Sequence, residues 1–218
     1  QKPQNKKNKI LVTGPNANNQ SILGDWHKPQ PDENVYTIYE GIEKIGTKMG
    51  YVVDYHDSNQ NIKKISNSDI DKTIEIANEY DIVFVVVGDN SMRYKWSEKT
   101  AGENTARAEL NLAGNQLKLV KRLKETGKNV IVIYANGRPI SEPWISKNIN
   151  AIIEVWEPGS YGGLAAAEII FGKVNPSGKL PLTIANSVGQ LKMFYNHKHS
   201  MYYRNYAMNT NKPLYSFG

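Results

Sequence analysis

Two hydrophobic regimes alternate along the chain. Short runs of β-branched and aromatic residues at 9–12, 51–55, 81–87, 130–134 and 151–155 are separated by longer stretches with apolar residues at helical spacing. The strongest run, 81–87, is continuous rather than alternating, the pattern of a central parallel strand covered on both faces. Ile38, Ile42, Ile45 and Met49 line one side of a helix predicted over 37–49. A second helix, with Ser68 as its N-cap, carries Ile70, Ile74 and Ala77. A third, over 112–125, sets Leu117, Val120 and Lys124 along one side and has Gly127 just past its end. The Ala-rich segment 164–171 is a fourth, and from Gly172 onward short segments and loops remain. This alternation predicts an α/β fold, a three-layer αβα sandwich around a mostly parallel, doubly wound sheet of five or six strands. Residues 1–8 read as a polar linker and 9–218 as the sandwich domain.

In an open parallel sheet, ligands gather at the carboxyl ends of the strands. Four loops lie there, 14–31, 88–107, 136–139 and 156–163. The first two far exceed the usual length of about 2 to 6 residues and are the ones to suspect of function.

Charge and composition narrow the classes. The formal net charge of +6 is owed in part to lysines in the first nine residues, and the other lysines are scattered. No basic stripe with interleaved aromatics marks a nucleic-acid groove. The longest apolar run, 82–87, is far shorter than the roughly 20 residues that span a bilayer. With no cysteine, neither disulfides nor thiolate metal sites contribute. The chain opens at Gln1 without a signal-peptide core, which reads as a trimmed piece.

Several chemistries fail on spacing. Pro158-Gly159-Ser160-Tyr161-Gly162 comes close to a hydrolase nucleophile elbow, but Pro158 stands where glycine is required. Glu168, the only acid after Ser160, lies on the helix the elbow would launch and is badly placed to orient His197 or His199. Those two histidines lack further ligands at metal-binding spacing, so no metal is expected. The first strand is followed by neither a G-x-G-x-x-G nor a Walker motif, and no nucleotide cofactor is expected. The loop 88–107 holds Asp89, Glu98 and Glu103 with Tyr94 and Trp96 between them. Rings that stack on pyranose faces, beside a carboxylic acid able to protonate a glycosidic oxygen, suit a sugar site.

The segment from Val87-Gly88-Asp89-Asn90-Ser91 through Gly102-Glu103-Asn104-Thr105-Ala106-Arg107 resembles the acid/base loop of family 3 glycosidases. Supporting motifs follow in the family's order: Gly24-Asp25-Trp26, Asn136-Gly137-Arg138-Pro139, Trp156-Glu157-Pro158-Gly159-Ser160, Asn175-Pro176-Ser177-Gly178-Lys179-Leu180-Pro181 and the terminal Tyr215-Ser216-Phe217-Gly218. The resemblance covers nearly the whole chain after Lys9 and implies the C-terminal α/β sandwich domain of a β-glucosidase. It implies Glu103 as the general acid/base, with Arg107 four residues on as its support, and leaves Glu98 as the alternative acid. Trp26 would stack on the leaving-group sugar, with Asp25, Tyr94 and Trp96 also binding substrate. The family usually has Gly-Glu where this chain has Gly88-Asp89. The nucleophilic Asp of the family lies on a preceding TIM-like barrel, so the implied partners are that barrel and a β-linked glycoside, and the chain alone would be inactive. A wall of the sugar site without a catalytic group is the other role the resemblance allows. Secretion or a periplasmic location is implied by the family alone.

Overall fold

In a computed structural model, which describes residues 8–196 and 207–218, five parallel strands form one sheet. They are β1 (Lys9–Thr13), β2 (Val52–His56), β3 (Ile82–Gly88), β4 (Asn129–Ala135) and β5 (Ala151–Glu154), in the spatial order β2-β1-β3-β4-β5. All four pairings are parallel, so the expected α/β sandwich stands with five strands. His197, His199 and residues 1–7 of the expected linker lie outside the described residues.

Side chains of successive strand residues point to opposite faces, and the two faces hold separate cores. Leu11, Val83, Val85, Val87, Val130 and Val132 pack on one side against Ile70, Leu119, Val120, Leu123 and Ile145. Those partners come from α2 (Asn67–Ala77), α3 (Gln116–Glu125) and α4 (Pro143–Asn148). Ile10, Val12, Phe84, Val86 and Ile133 pack on the other side against Ile38, Ile42, Ile45, Ala166 and Ala167 of α1 (Ile38–Lys48) and α5 (Gly162–Ile170). Gly41 and Gly163 let α1 and α5 touch through their backbones, since a Cβ on Gly41 would sit 2.0 Å from Gly163 O.

Local chemistry corrects three details of the sequence reading. The N-cap of α2 is Ser66, not Ser68: its hydroxyl accepts from Asp69 N, and the Asp69 carboxylate accepts from Ser66 N. This reciprocal pair satisfies two donors at the helix start, which Ser68, already inside the helix, cannot do. Helix α3 begins at Gln116 rather than 112, because Gly114 (φ +61) breaks the helical path, and its buried seam is Leu119, Val120 and Leu123 rather than Leu117 and Lys124. Helix α4, with Pro143 in its first turn, has six residues, too few for a periodic signal.

The carboxyl end of the sheet is built from polar contacts. Gly88 closes β3 with φ +155, and its N–H and C=O are both bonded to the buried Gln116 amide, at 2.8 and 2.9 Å. At the end of β5, half-buried Glu154 accepts from Trp156 N at 3.0 Å. Burial pushes its carboxyl up to about 7; the nearby Asp89 charge acts in the same direction, against the hydrogen bonds from Trp156 and Asn136.

Two tests follow from this packing. A Cβ at Gly88 would lie 1.9 Å from Ala135 O in the adjoining strand. Gly88→Ala is expected to cost more than about 2 kcal/mol in denaturant unfolding, a fall of roughly 5 °C or more in Tm. The folded pKa of Glu154 lies above the ordinary carboxyl value of 4.5, so its stabilising contribution is complete below about pH 4.5 and is lost as pH rises through about 7. Glu154→Gln should therefore gain on the native chain by up to about 2 kcal/mol between pH 5 and pH 8. A stability difference that stays flat across that range would contradict the assignment.

Candidate active site

The strand order reverses direction between β1 and β3: the chain leaves β1 for β2 on one side, then crosses to build β3, β4 and β5 on the other. A crevice opens at such a switch point because the two connections part there. The two long loops flagged by the sequence leave from these two strands, and they meet. Asn16, buried after β1, donates its side-chain amide to Asp89 O and Ala135 O, both at 3.0 Å, which ties the first loop to the ends of β3 and β4.

The loop after β3 is pinned at its neck. Asp89, 3% exposed, faces Arg138 Nε at 2.9 Å across the ends of β3 and β4, and accepts from Thr100 Oγ1 at 3.1 Å. Burial pushes its carboxyl up, and Arg138 and Thr100 pull against that. Thr100 returns the chain to Asn90 through Thr100 N to Asn90 O at 2.8 Å and Asn90 N to Thr100 Oγ1 at 2.9 Å. Residues 91–99 therefore project as a closed excursion, with a short helical stretch, Arg93–Glu98, carrying Tyr94 and Trp96.

Gly24-Asp25-Trp26 reaches this excursion from the first loop. Trp26 is 75% exposed, the most open tryptophan among the described residues, and the Arg93 guanidinium lies 3.7 Å from its ring centroid. Glu103 sits at a turn closed by Thr105 N donating to Gly102 O at 3.0 Å, and its carboxylate meets Arg93 Nη2 at 2.5 Å. The structure thus brings Glu103, Trp26 and Asp25 together around one guanidinium.

The expected sugar-binding set divides. Asp25 turns its oxygens inward, to Lys99 Nζ at 3.1 Å, Arg93 Nη2 at 3.3 Å and Glu103 N at 2.6 Å. Partial burial works to raise its carboxyl, but the Glu103 N–H and the Lys99 and Arg93 cations outweigh that and hold it below the usual range. Tyr94 packs edge-on to His27 at 5.2 Å and donates its hydroxyl to Met92 Sδ, while half-exposed Trp96 has Lys99 Nζ 4.7 Å from its ring centroid. Arg107 donates to Asn111 O and Oδ1 and makes no hydrogen bond to Glu103. Glu98 lies 4.0 Å from Lys95, apart from this cluster.

Residues that the sequence reading passed over complete the geometry. A cavity of about 270 Å³ lies beside the Glu103 loop, lined among others by Asp25, Ser91, Arg107, Arg138 and Glu157. Glu157 accepts from Ser91 Oγ at 2.6 Å, and a side chain on Gly24 or Gly137 would strike its carboxylate. Glu157 and Arg138 lie within Trp156-Glu157-Pro158 and Gly137-Arg138-Pro139, two of the family-like motifs, which was a signal for them. Arg93 and Lys99 carried none, since lysine and arginine in a surface loop are ordinarily solvated. Among the described residues no three His, Asp or Glu side chains converge to hold a metal ion, and no helix is long and apolar enough to cross a membrane.

Comparison with known proteins agrees with this architecture. The family model described as the glycosyl hydrolase family 3 C-terminal domain matches residues 3–218. A periplasmic β-glucosidase of Salmonella typhimurium is 31% identical across 99% of this chain, and a β-xylosidase of Formosa agariphila is 33% identical across 96%. Among solved structures, a β-glucosidase of saponin metabolism from intestinal bacteria superposes with a TM-score of 0.83 at 27% identity, covering 98% of this chain and 34% of that one. A Listeria innocua β-glucosidase bound to isofagomine gives 0.81 at 26% identity, covering 99% of this chain and 30% of that one. The chain spans 31% and 29% of the length of the two curated relatives. From its ordered motifs, its sheet topology and the family match over residues 3–218, the chain belongs to glycosyl hydrolase family 3, as the family's C-terminal domain.

Proposed function

We propose that this domain supplies the general acid/base of a retaining exo-β-glycosidase acting on β-glucosides, with Glu103 as the acid/base and Trp26 as the platform for the leaving-group sugar. The observation that carries this reading is the gathering of Glu103 and the exposed Trp26 ring around the Arg93 guanidinium, at the switch point where the two long loops meet. Glu103 protonates the departing glycosidic oxygen, then withdraws a proton from the water that attacks the glycosyl-enzyme intermediate.

Retention requires a second carboxylate about 5 to 5.5 Å away to attack the anomeric carbon. Asp25 is within about 6 Å of Glu103, since both touch Arg93 Nη2, yet its oxygens are committed to Lys99, Arg93 and Glu103 N. A nucleophile needs a lone pair free to face the sugar. The attacking carboxylate is therefore assigned to a preceding barrel domain, as the family resemblance implies, and this chain alone is inactive. The periplasmic relative favours a location outside the cytoplasm.

The ion pair of Glu103 with Arg93 at a half-exposed position favours one other reading, in which the domain is only a wall of the sugar site. Kinetics separates the two. In this chain joined to a family 3 barrel, Glu103→Gln should lower kcat/KM for alkyl β-glucosides by at least about 100-fold and kcat/KM for a dinitrophenyl β-glucoside, whose leaving group needs no proton, by less than about tenfold, while kcat on the latter falls because water attack on the intermediate has lost its base. Added azide should yield a β-glucosyl azide. Equal loss on both substrates would leave the wall reading standing. Trp26→Ala should raise KM for disaccharides by about tenfold, as expected for one lost stacking contact, with little change for small alkyl glucosides.

A further inference from the structure

The largest fully buried side chain among the described residues is a lysine. Lys99 is 1% exposed, although lysine is almost never buried without a partner, and an ammonium removed from water is costly unless its donors are met. All three of its donors are met, by Asp25 Oδ1, Asp25 Oδ2 and Glu103 O, each at 3.1 Å. Asp25 Oδ2 also accepts the N–H of Glu103 at 2.6 Å. One buried ion pair thus grips both backbone polar groups of Glu103, N–H through the carboxylate and C=O through the ammonium.

Glu103 needs such a grip. Its neighbours Gly102 and Asn104 both have left-handed backbones, at φ +98 and +57, and the loop joining β3 to α3 is far longer than most connections. A turn of this kind at the end of a long loop has many competing conformations, while proton donation demands placement to within about 0.5 Å. The contact of the Glu103 side chain with Arg93 does not supply that placement, because it lies near the surface, where ion pairs are weak and screened. The Lys99–Asp25 pair is largely withdrawn from solvent, so salt screens it far less. A Cβ on Gly102 would lie 2.6 Å from Asp25 Oδ2, so the turn packs directly on the carboxylate.

We propose that Lys99 and Asp25 are positioning residues for the acid/base, a buried ion pair that clamps the Glu103 peptide from both sides and aims its side chain at the glycosidic oxygen. The inference rests on the reading of Glu103 as the acid/base. It gives Asp25 a role directed at the protein rather than at the sugar. It also accounts for the burial of the lysine, whose further side-chain contact in the loop is with the half-exposed Trp96 ring.

The test has two arms. In the 218-residue chain, the Glu103 amide should be protected from hydrogen exchange and should lose about 100-fold of that protection in Lys99→Met. In the chain joined to a family 3 barrel, Lys99→Met should lower kcat/KM for alkyl β-glucosides by about 30-fold and kcat/KM for a dinitrophenyl β-glucoside by less than about threefold, the same leaving-group signature as Glu103→Gln in milder form. The double variant Lys99→Met/Asp25→Asn, which leaves neither charge buried alone, should keep the fold and show the same signature if Lys99→Met is unstable. A uniform loss on both substrates, or no loss of protection, would overturn the positioning role while a steep Glu103→Gln effect keeps the acid/base reading intact. Should Glu103→Gln itself show no leaving-group dependence, the acid/base reading falls, and the positioning role falls with it.

Discussion

Parallel strands cannot be joined by tight turns, and each must have both faces covered, so every connection in this sheet crosses over a face and returns. From that constraint come the two cores, with Val83, Val85 and Val87 packing on one side of β3 and Phe84 and Val86 on the other. It also places all five strand ends on one edge, where the order β2-β1-β3-β4-β5 opens a gap between two diverging connections. The loops after β1 and β3 converge at that gap because the topology leaves them nowhere else to meet.

Apolar packing holds the sheet and helices, while the rim above them is held by polar groups withdrawn from water. Asp89 against Arg138, Gln116 on Gly88, Asn16 on two carbonyls, and Lys99 on Asp25 each place at least one buried polar side chain between segments distant in sequence. Such contacts are costly to leave half made, and a loop satisfied by several of them has few alternatives of equal energy. The rim is thereby ordered enough to carry chemistry although it lacks regular structure. Trp26 and Glu103 are its outward-facing members, an open ring and a half-exposed carboxylate standing on a buried ionic base.

This division accounts for what could be read without coordinates. Strands and long helices announce themselves by periodicity, and all five strands were legible to within a residue or two. Short α4 lacked the length for a period, and the start of α2 was misplaced by two residues because Ser66 and Ser68 are both plausible caps until Asp69 is seen to bond back to Ser66. Motifs singled out Glu103 and Trp26 as candidates, but nothing in the sequence indicated the inward turn of Asp25, because an aspartate beside an exposed tryptophan gives no sign of which way its oxygens face.

The sequence by itself determined the α/β class, the parallel sheet, the two long loops at its carboxyl edge and the family, since each is written in local spacing or in ordered short motifs. Only the tertiary structure decided which polar residues are withdrawn from water and which partners they meet. Lys99 and Asp25 lie 74 positions apart, and Asp89 and Arg138 lie 49 apart. A charge's role depends on its desolvation and its partner, and both are properties of neighbours brought together by folding rather than of the residue or its place in the chain.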